Sequence, residues 1–388
     1  RRRRVEAGSR ARGPRRVGEG LVVSLRTRVG VVFGGPSREH GVSFLSARCL
    51  LENLPADRYE SIPVFVGKDG LWHGVAASRE EMLRYFARPP REALLDGVVP
   101  GSKPAAAGTI VDSFGASFRD GAWDVVLPIV HGTFGEDGVL QGLLEAMNVP
   151  YVGFGVAASA VGMDKVLMKA AFAAAGLPQV RYVGVPGSSW RTPALRAALL
   201  PRIEALGLPL FVKPACAGSS VGITKVKRAE DLEAAVEAAL AVDATALVEE
   251  AAAAREIECA VLEGEGGPTE ASLPGEIVPG HEFYDYEDKY IDDRSYCVIP
   301  ADVPEATREE IRRMACAAFD AVGGAGFARV DFFLERASGR VLLNEINSLP
   351  GFTPISMFPK MWEASGLPLG ALLDRLVRSA FRRPLRGR

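Results

Sequence analysis

Two alternating stretches near the C-terminus, Ala328-Arg329-Val330-Asp331-Phe332-Phe333 and Val341-Leu342-Leu343-Asn344-Glu345-Ile346-Asn347, flank a turn at Arg336-Ala-Ser-Gly-Arg340. In a β-hairpin this alternation puts Arg329, Asp331 and Phe333 on one face of the first strand and Glu345 with Asn347 on one face of the second. Two carboxylates and an amide oxygen can then converge on a hard cation. So few oxygen ligands leave room for water and phosphate, which suits Mg²⁺ bridging a nucleotide better than Ca²⁺ in an all-protein cage. The same residues also fit a solvated hairpin face on which Arg329 pairs with Asp331.

A second cluster is Phe211-Val-Lys213-Pro214 followed by Gly218-Ser219-Ser220-Val-Gly222. Backbone N–H groups around Gly218 and Ser220 can cradle phosphate oxygens, and Lys213, at the end of the preceding strand, supplies the compensating charge. The segment matches neither the G-x-x-x-x-G-K-[ST] phosphate loop nor the G-x-G-x-x-G dinucleotide fingerprint, and a glycine-rich hairpin turn reads the same way. A third cluster is Leu247-Val-Glu249-Glu250, ahead of Arg255-Glu256. Backbone groups beside Glu249 can read an adenine edge while Glu256 accepts hydrogen bonds from ribose; alone, the segment is equally a charged turn.

The elements that must position these groups alternate as strand, loop and helix. Arg28-Val-Gly-Val-Val-Phe is a buried strand that runs into a glycine turn. Ser37 can cap the following helix, whose apolar positions Val42, Leu45, Cys49 and Leu50 recur until Asn53 and Pro55 stop it. Residues 61–66 and 123–130 read as further strands, which argues an open α/β sheet with ligand loops at the strand C-terminal ends. The proline- and glycine-interrupted segment 87–121 reads as mostly loop with short strands. Residues 164–175 predict a helix closed by Gly176-Leu-Pro178, 208–213 and 223–226 predict strands, and 229–241 and 369–381 predict helices.

At 388 residues with 48% hydrophobic and 24% charged residues, the chain reads as a soluble globular α/β protein of two or three domains. The longest uncharged stretch, 146–163, is interrupted by Asn148, Pro150 and four polar or glycine positions, so no membrane span is predicted. Residues 1–28 carry ten arginines against two glutamates, leaving 36 basic and 46 acidic residues for the remainder. The body therefore repels polyanions, which argues against nucleic acid as a partner of the body, and the arm reads as a disordered extension or a misassigned start, with a nucleic-acid tail as the lesser alternative. Five scattered cysteines and no secretion signal predict reduced thiols in a cytoplasm. Four histidines without metal-ligand spacing indicate no zinc site, leaving oxygen ligands for any metal.

The order Met163-Asp-Lys165, Lys213 with its Gly-Ser loop, the Glu249 segment, Arg329-x-Asp331 and Glu345-x-Asn347 resembles the ATP-grasp superfamily, in which two α+β units sandwich ATP. Four further motifs, Gly34-Gly-Pro-Ser-x-Glu39-His40-x-Val-Ser43, His131-Gly-x-x-Gly-Glu136-Asp-Gly138, Phe283-Tyr-Asp-Tyr-Glu-Asp-Lys289-Tyr290 and Asn347-Ser-x-Pro-Gly351-Phe-Thr, make the sequence similar to D-alanine-D-alanine ligases from Val29 to about Arg378. The resemblance implies an ATP-grasp fold: an N-terminal open α/β domain at 29–155, a central subdomain at 156–250, and a C-terminal subdomain at 251–380 with a lid loop at about 280–293.

It also implies roles. Lys165 and Lys213 would hold ATP phosphates, Glu256 the ribose, and Asp331, Glu345 and Asn347 two Mg²⁺ ions, for which Mn²⁺ can substitute. Glu39 would accept the first D-alanine's ammonium and form a trio with Ser219 and Tyr290. Lys289 would approach the transferred phosphate, and Arg329 with the Gly351 N–H would form an oxyanion hole. Ser356 would bind the second D-alanine's carboxylate, and His131 would line the first substrate pocket, unless it is a structural loop histidine. The first D-alanine would become an acyl phosphate, which the second D-alanine's amine attacks under a closed lid. Tyr284, Tyr286 and Tyr290 could instead form one face of an ordinary strand. Related D-alanine-D-lactate ligases lack the lid tyrosine, so Tyr290 favours the dipeptide product over that alternative; a catalytically silent ATP-binding module is a third reading. Glu250-Ala251 and Cys216-Ala217 depart from the family pattern. A homodimer is implied by the resemblance alone.

Overall fold

A computed structural model describes residues 26–88, 109–218, 222–278 and 296–383. Three sheets follow one another along the chain. The first holds β1 (Thr27–Gly34), β2 (Tyr59–Val66) and β3 (Val125–Pro128), all parallel, in the order β2-β1-β3. β1 is buried on both faces. Val29, Val31 and Phe33 enter one core cluster and Val32 another, which explains its continuous apolar run.

The second sheet holds β4 (Tyr182–Pro186), β5 (Leu210–Pro214), β6 (Thr224–Val226) and β7 (Thr245–Glu250), antiparallel in the order β4-β7-β5-β6. Helices Pro193–Glu204 and Leu232–Leu240 cover one face, and their Leu199, Ile203 and Val236 form a separate core with Val212 and Val248. The third sheet holds β8 (Ala254–Leu262), β9 (Glu270–Ala271), β10 (Gly275–Val278), β11 (Tyr296–Val298), β12 (Phe327–Glu335) and β13 (Val341–Asn347). Its order is β11-β10-β8-β12-β13, with β9 paired to β8. Helix Glu305–Ala321 and helix Lys165–Ala174 pack on one of its faces.

The other face belongs to the first sheet's core. Leu372, Leu373, Leu376 and Val377 of helix Leu369–Ala380 are buried together with Val29, Val31 and Phe33 of β1 and with Phe327 and Leu262 of the third sheet. Asp374 of the same helix accepts hydrogen bonds from Arg58 Nη1 at 2.8 Å and from the Tyr59 hydroxyl at 2.9 Å.

The expected hairpin is present, with β12 and β13 antiparallel. Two local expectations are corrected. Residues 109–121 form a helix rather than loop, because burying Phe114 against Trp72 and Trp123 outweighs the low helix propensity of Gly115. A helix at Val75–Phe86 precedes it. Ser37 does not cap the helix His40–Asn53 from one turn away. Its hydroxyl accepts the Glu39 N–H at 3.2 Å and donates to the His131 carbonyl at 2.6 Å, so it closes a tight turn two residues earlier. The arm 1–25 and the segment 279–295 lie outside the described residues.

Candidate active site

A cavity of about 680 Å³ opens between the second and third sheets and reaches the loops at the C-terminal ends of β1 and β3. All thirteen candidate residues within the described structure line it: Glu39, His131, Lys165, Lys213, Gly218, Glu249, Glu256, Arg329, Asp331, Glu345, Asn347, Gly351 and Ser356. Ser219, Ser220, Lys289 and Tyr290, together with the lid expectation, lie outside the described residues.

The second sheet and the helix Lys165–Ala174 together supply a cationic wall. In β5 and β7 the register sets Phe211 opposite Glu249 and Lys213 opposite Leu247, so Lys213 and Glu249 share a face. Lys213 Nζ lies 2.5 Å from Glu249 Oε2, and Lys169 Nζ lies 2.7 Å from Glu249 Oε1. Burial alone would push the Glu249 carboxyl up, but the Lys213 and Lys169 ammonium groups outweigh it and hold the pKa at about 2. Lys165, at the first position of its helix, donates to the Ala217 carbonyl at 2.7 Å and so reaches the start of the Gly-Ser loop. Asp164 caps that helix, accepting from the N–H groups of Val166 at 2.9 Å and Leu167 at 3.1 Å.

The two departures from the family pattern are accommodated locally. Glu250 accepts from the Arg181 backbone N–H at 2.8 Å and from its Nε at 2.6 Å, which gives the carboxylate a partner of its own. The Cys216 backbone N–H donates to Asp243 at 2.7 Å, while burial, Asp164 and Asp243 push its thiol up to about 12, so it stays protonated at neutral pH.

The third sheet supplies the acidic wall. Arg329 stands opposite Asn347, and Asp331 opposite both Glu345 on β13 and Glu258 on β8. Arg329 Nε and Nη2 each donate to one oxygen of Asp331 at 2.7 Å, Nε also lies 3.1 Å from Glu258, and the Asn347 amide donates to Asp331 at 2.9 Å. Burial opposes the charge on Arg329, yet Asp331 and Glu258 outweigh it and hold the guanidinium protonated. This is the Arg329–Asp331 pairing that the hairpin pattern allows, inside a cleft rather than on a solvated face.

The register shifts by one residue at this point. Asp331 pairs with Glu345 and Phe332 with Leu343, leaving Asn344 as the extra residue of a β-bulge. Asn344 lines the cavity, and its Oδ1 is buried without a hydrogen-bond partner. Among the described residues no three His, Cys, Asp or Glu side chains converge closely enough to hold a metal by themselves. Two cross-strand carboxylates with neighbouring amide oxygens form an incomplete, all-oxygen donor set. That set fits a Mg²⁺ whose remaining ligands come from phosphate and water.

The first sheet supplies the third side. The Glu39 carboxylate lies between two glycines: a Cβ added at Gly132 would come 2.9 Å from Glu39 Oε2, and one at Gly218 would come 3.1 Å from it. His131 Nδ1 donates to the Leu349 carbonyl at 2.9 Å, and its Nε2 lies 3.2 Å from Ser46 Oγ, which also accepts the Phe352 N–H at 3.1 Å. His131 thus ties the loop after β3 to the loop that carries Gly351. Burial disfavours its charged form, but Glu136 and Glu39 outweigh that and raise its pKa. Ser356 Oγ accepts the Thr353 N–H at 3.0 Å beside Gly351.

Four residues of this region escape the sequence reading. Glu136, named only within a motif, and Glu258 line the cavity without having been given a role, and strict alternation cannot reveal that a bulge turns Asn344 inward. Lys169 carried a signal, since Lys165-x-x-x-Lys169 puts both ammonium groups on one helix face.

Two sheets closing on one cleft, with lysines on one wall and carboxylates on the other, make the ATP-grasp architecture. The chain belongs to the D-alanine-D-alanine ligase family. The family model of the D-ala D-ala ligase N-terminus matches residues 28–154, and that of the C-terminus matches residues 171–378. D-alanine-D-alanine ligases of Kocuria rhizophila and Geobacillus thermodenitrificans are 46% and 44% identical, each over 92% of this chain and 94% and 96% of their own lengths. Among solved structures, the D-alanine-D-alanine ligase of Coxiella burnetii matches with TM-score 0.72 and 38% identity, over 92% of this chain and 94% of its own. The VanG D-Ala:D-Ser ligase of Enterococcus faecalis matches with TM-score 0.74 and 31% identity, over 92% of this chain and 99% of its own. No helix among the described residues is long and apolar enough to cross a membrane.

Proposed function

We propose that this protein uses ATP to join two D-alanines into D-alanyl-D-alanine for peptidoglycan precursor synthesis. The observation that carries the reading is the convergence of three sides on one cavity: Lys165 and Lys213, then Asp331, Glu345 and Asn347, then Glu39. In this reading Lys165, Lys213 and the backbone of Gly218 and Ser220 hold the phosphates, while Glu249 and Glu256 serve the base and ribose ends. Asp331, Glu345 and Asn347 would hold two Mg²⁺ ions, which when bound neutralise phosphate charge. Phosphorylation of the first D-alanine's carboxylate gives an acyl phosphate, and Lys289 from the 280–293 segment would meet the phosphate in transit.

The amine of the second D-alanine, its carboxylate near Ser356, attacks the acyl carbon. Arg329 and the Gly351 N–H would stabilise the oxyanion, phosphate leaves, and the amine's proton is lost to solvent or base. Glu39 would take the first ammonium beside His131 and close over the reactants with Ser219 and Tyr290. We assign residues 29–155, 156–250 and 251–380 as the three working units, and propose a cytoplasmic homodimer.

The test is incubation of the protein with ATP, Mg²⁺ and D-alanine, with and without D-lactate or D-serine, followed by mass spectrometry and phosphate assay. D-alanyl-D-alanine dominating throughout is the expected result. A dominant D-alanyl-D-lactate or D-alanyl-D-serine product would move the assignment to a different acceptor, and ATP binding without phosphate release would make the chain a silent module. Light scattering on the same preparation checks the dimer.

A further inference from the structure

Lys169 has no part in that chemistry, yet it is the most deeply buried charge beside the cleft. Its side chain is 0% exposed, and it does not line the cavity. A lysine in such a place needs a partner. It has one: Nζ lies 2.7 Å from Glu249 Oε1, while Lys213 Nζ lies 2.5 Å from Glu249 Oε2. One carboxylate therefore carries two ammonium groups, one on each oxygen. The two lysines differ in access, because Lys213 lines the cavity and Lys169 lies behind it. Lys169 is also held in place from its own helix, where its carbonyl accepts from Gln179 Nε2 at 3.0 Å, and its ammonium stands 5.4 Å from the Tyr182 ring centroid.

The arrangement solves a specific electrostatic problem. A phosphate oxygen that draws Lys213 into the cavity competes with Glu249 Oε2 for the same ammonium and lengthens their 2.5 Å contact. With Lys213 as its one partner, Glu249 would then be a buried carboxylate with a weakened counter-ion, and that cost would count against nucleotide binding. A second ammonium that stays behind removes the cost. We propose that Lys169 is a positioning residue that holds Glu249 through Oε1 at all times, freeing Lys213 to exchange Glu249 Oε2 for a phosphate oxygen. The proposal rests on the reading of the cleft as a nucleotide site. It deepens that reading by adding a residue that touches neither substrate nor metal.

Lys169→Met keeps the chain length and removes the charge. In this variant Lys213 becomes the sole partner of Glu249 and is retained by it. The KM for ATP should rise about tenfold or more, equivalent to ~1.4 kcal/mol. The KM for D-alanine and the maximal rate should stay within about twofold of the unaltered protein. General loosening of the fold would move all three. Lys169→Gln, which keeps a donor toward Glu249 but no charge, is the milder companion should the methionine variant fail to fold.

A thermal-melting cycle reads the pairing without any ligand. Lys169→Met and Glu249→Gln should each lower Tm, and adding Lys169→Met to Glu249→Gln should raise it again, because the double variant no longer strands a buried ammonium. Additive losses in that cycle, or an unchanged ATP KM in either folded Lys169 variant, would overturn the proposal. Failure of the unaltered protein to release phosphate from ATP with D-alanine would strike the nucleotide reading, leaving the melting cycle to judge the pairing.

Discussion

Under the proposed reaction, Arg329 serves stability and chemistry with the same atoms. Its guanidinium bridges Asp331 and Glu258 while lining the same cavity as Gly351. Arg329→Ala should lower turnover by about 10²–10³, the range for losing one oxyanion donor, while ATP binding measured by calorimetry persists. Unchanged turnover would remove Arg329 from the oxyanion site. Glu249 carries a pH dependence. Its folded pKa of about 2 lies below the ordinary 4.5, so its stabilising contribution is complete above pH 4.5 and is lost as pH falls toward 2. Melting curves over that window should fall more steeply for the unaltered protein than for Glu249→Gln; parallel curves would refute the assignment. Residue types such as Lys213, Asp331 and Glu345 were legible in the sequence because their chemistry is intrinsic. The ion pairs of Glu249 with Lys169 and of Glu250 with Arg181 were not, since each joins segments about 70–80 positions apart in the chain.

Elements were legible where a local period decides them and illegible where tertiary burial does. The hairpin of β12 and β13 follows from alternation, but the bulge that exposes Asn344 to the cleft breaks the period that alternation relies on. Helix 109–121 forms against its own glycines because Phe114 packs edge-on against both Trp72 and Trp123. The approach of the Gly218 turn to Glu39 likewise depends on two elements meeting. A Cβ at Gly218 would press on the end of the Glu39 side chain, which can swing away at little cost to stability. Gly218→Ala should therefore leave Tm nearly unchanged and raise the KM for D-alanine several-fold, and an unaffected D-alanine KM would show that Glu39 does not meet the first substrate.

At the scale of the whole molecule, the three sheets do not make three independent cores. Helix Leu369–Ala380 arrives last in the chain yet buries Leu376 among β1 and third-sheet side chains, and Asp374 fastens it to Arg58 and Tyr59 at the first sheet. The core around Ile203 and Val236 contains second-sheet residues and their helices alone. Leu376→Ala and Ile203→Ala should each cost about 2–5 kcal/mol as large-to-small changes at buried sites. Their reach should differ. Hydrogen exchange on Leu376→Ala should lose protection in β1, β8 and β12 together, whereas on Ile203→Ala the loss should be confined to residues 182–250. Loss restricted to the first sheet in Leu376→Ala would show that the shared core does not couple the two sheets. Coupling matters for the proposed reaction because Glu39 and His131 follow strands of the first sheet, whereas Arg329 lies on the third sheet and Gly351 follows its last strand. The groups assigned to that reaction from both ends of the sequence keep their spacing only if those ends share a rigid core, whereas Lys213, the proposed phosphate ligand, sits on the sheet whose core is its own.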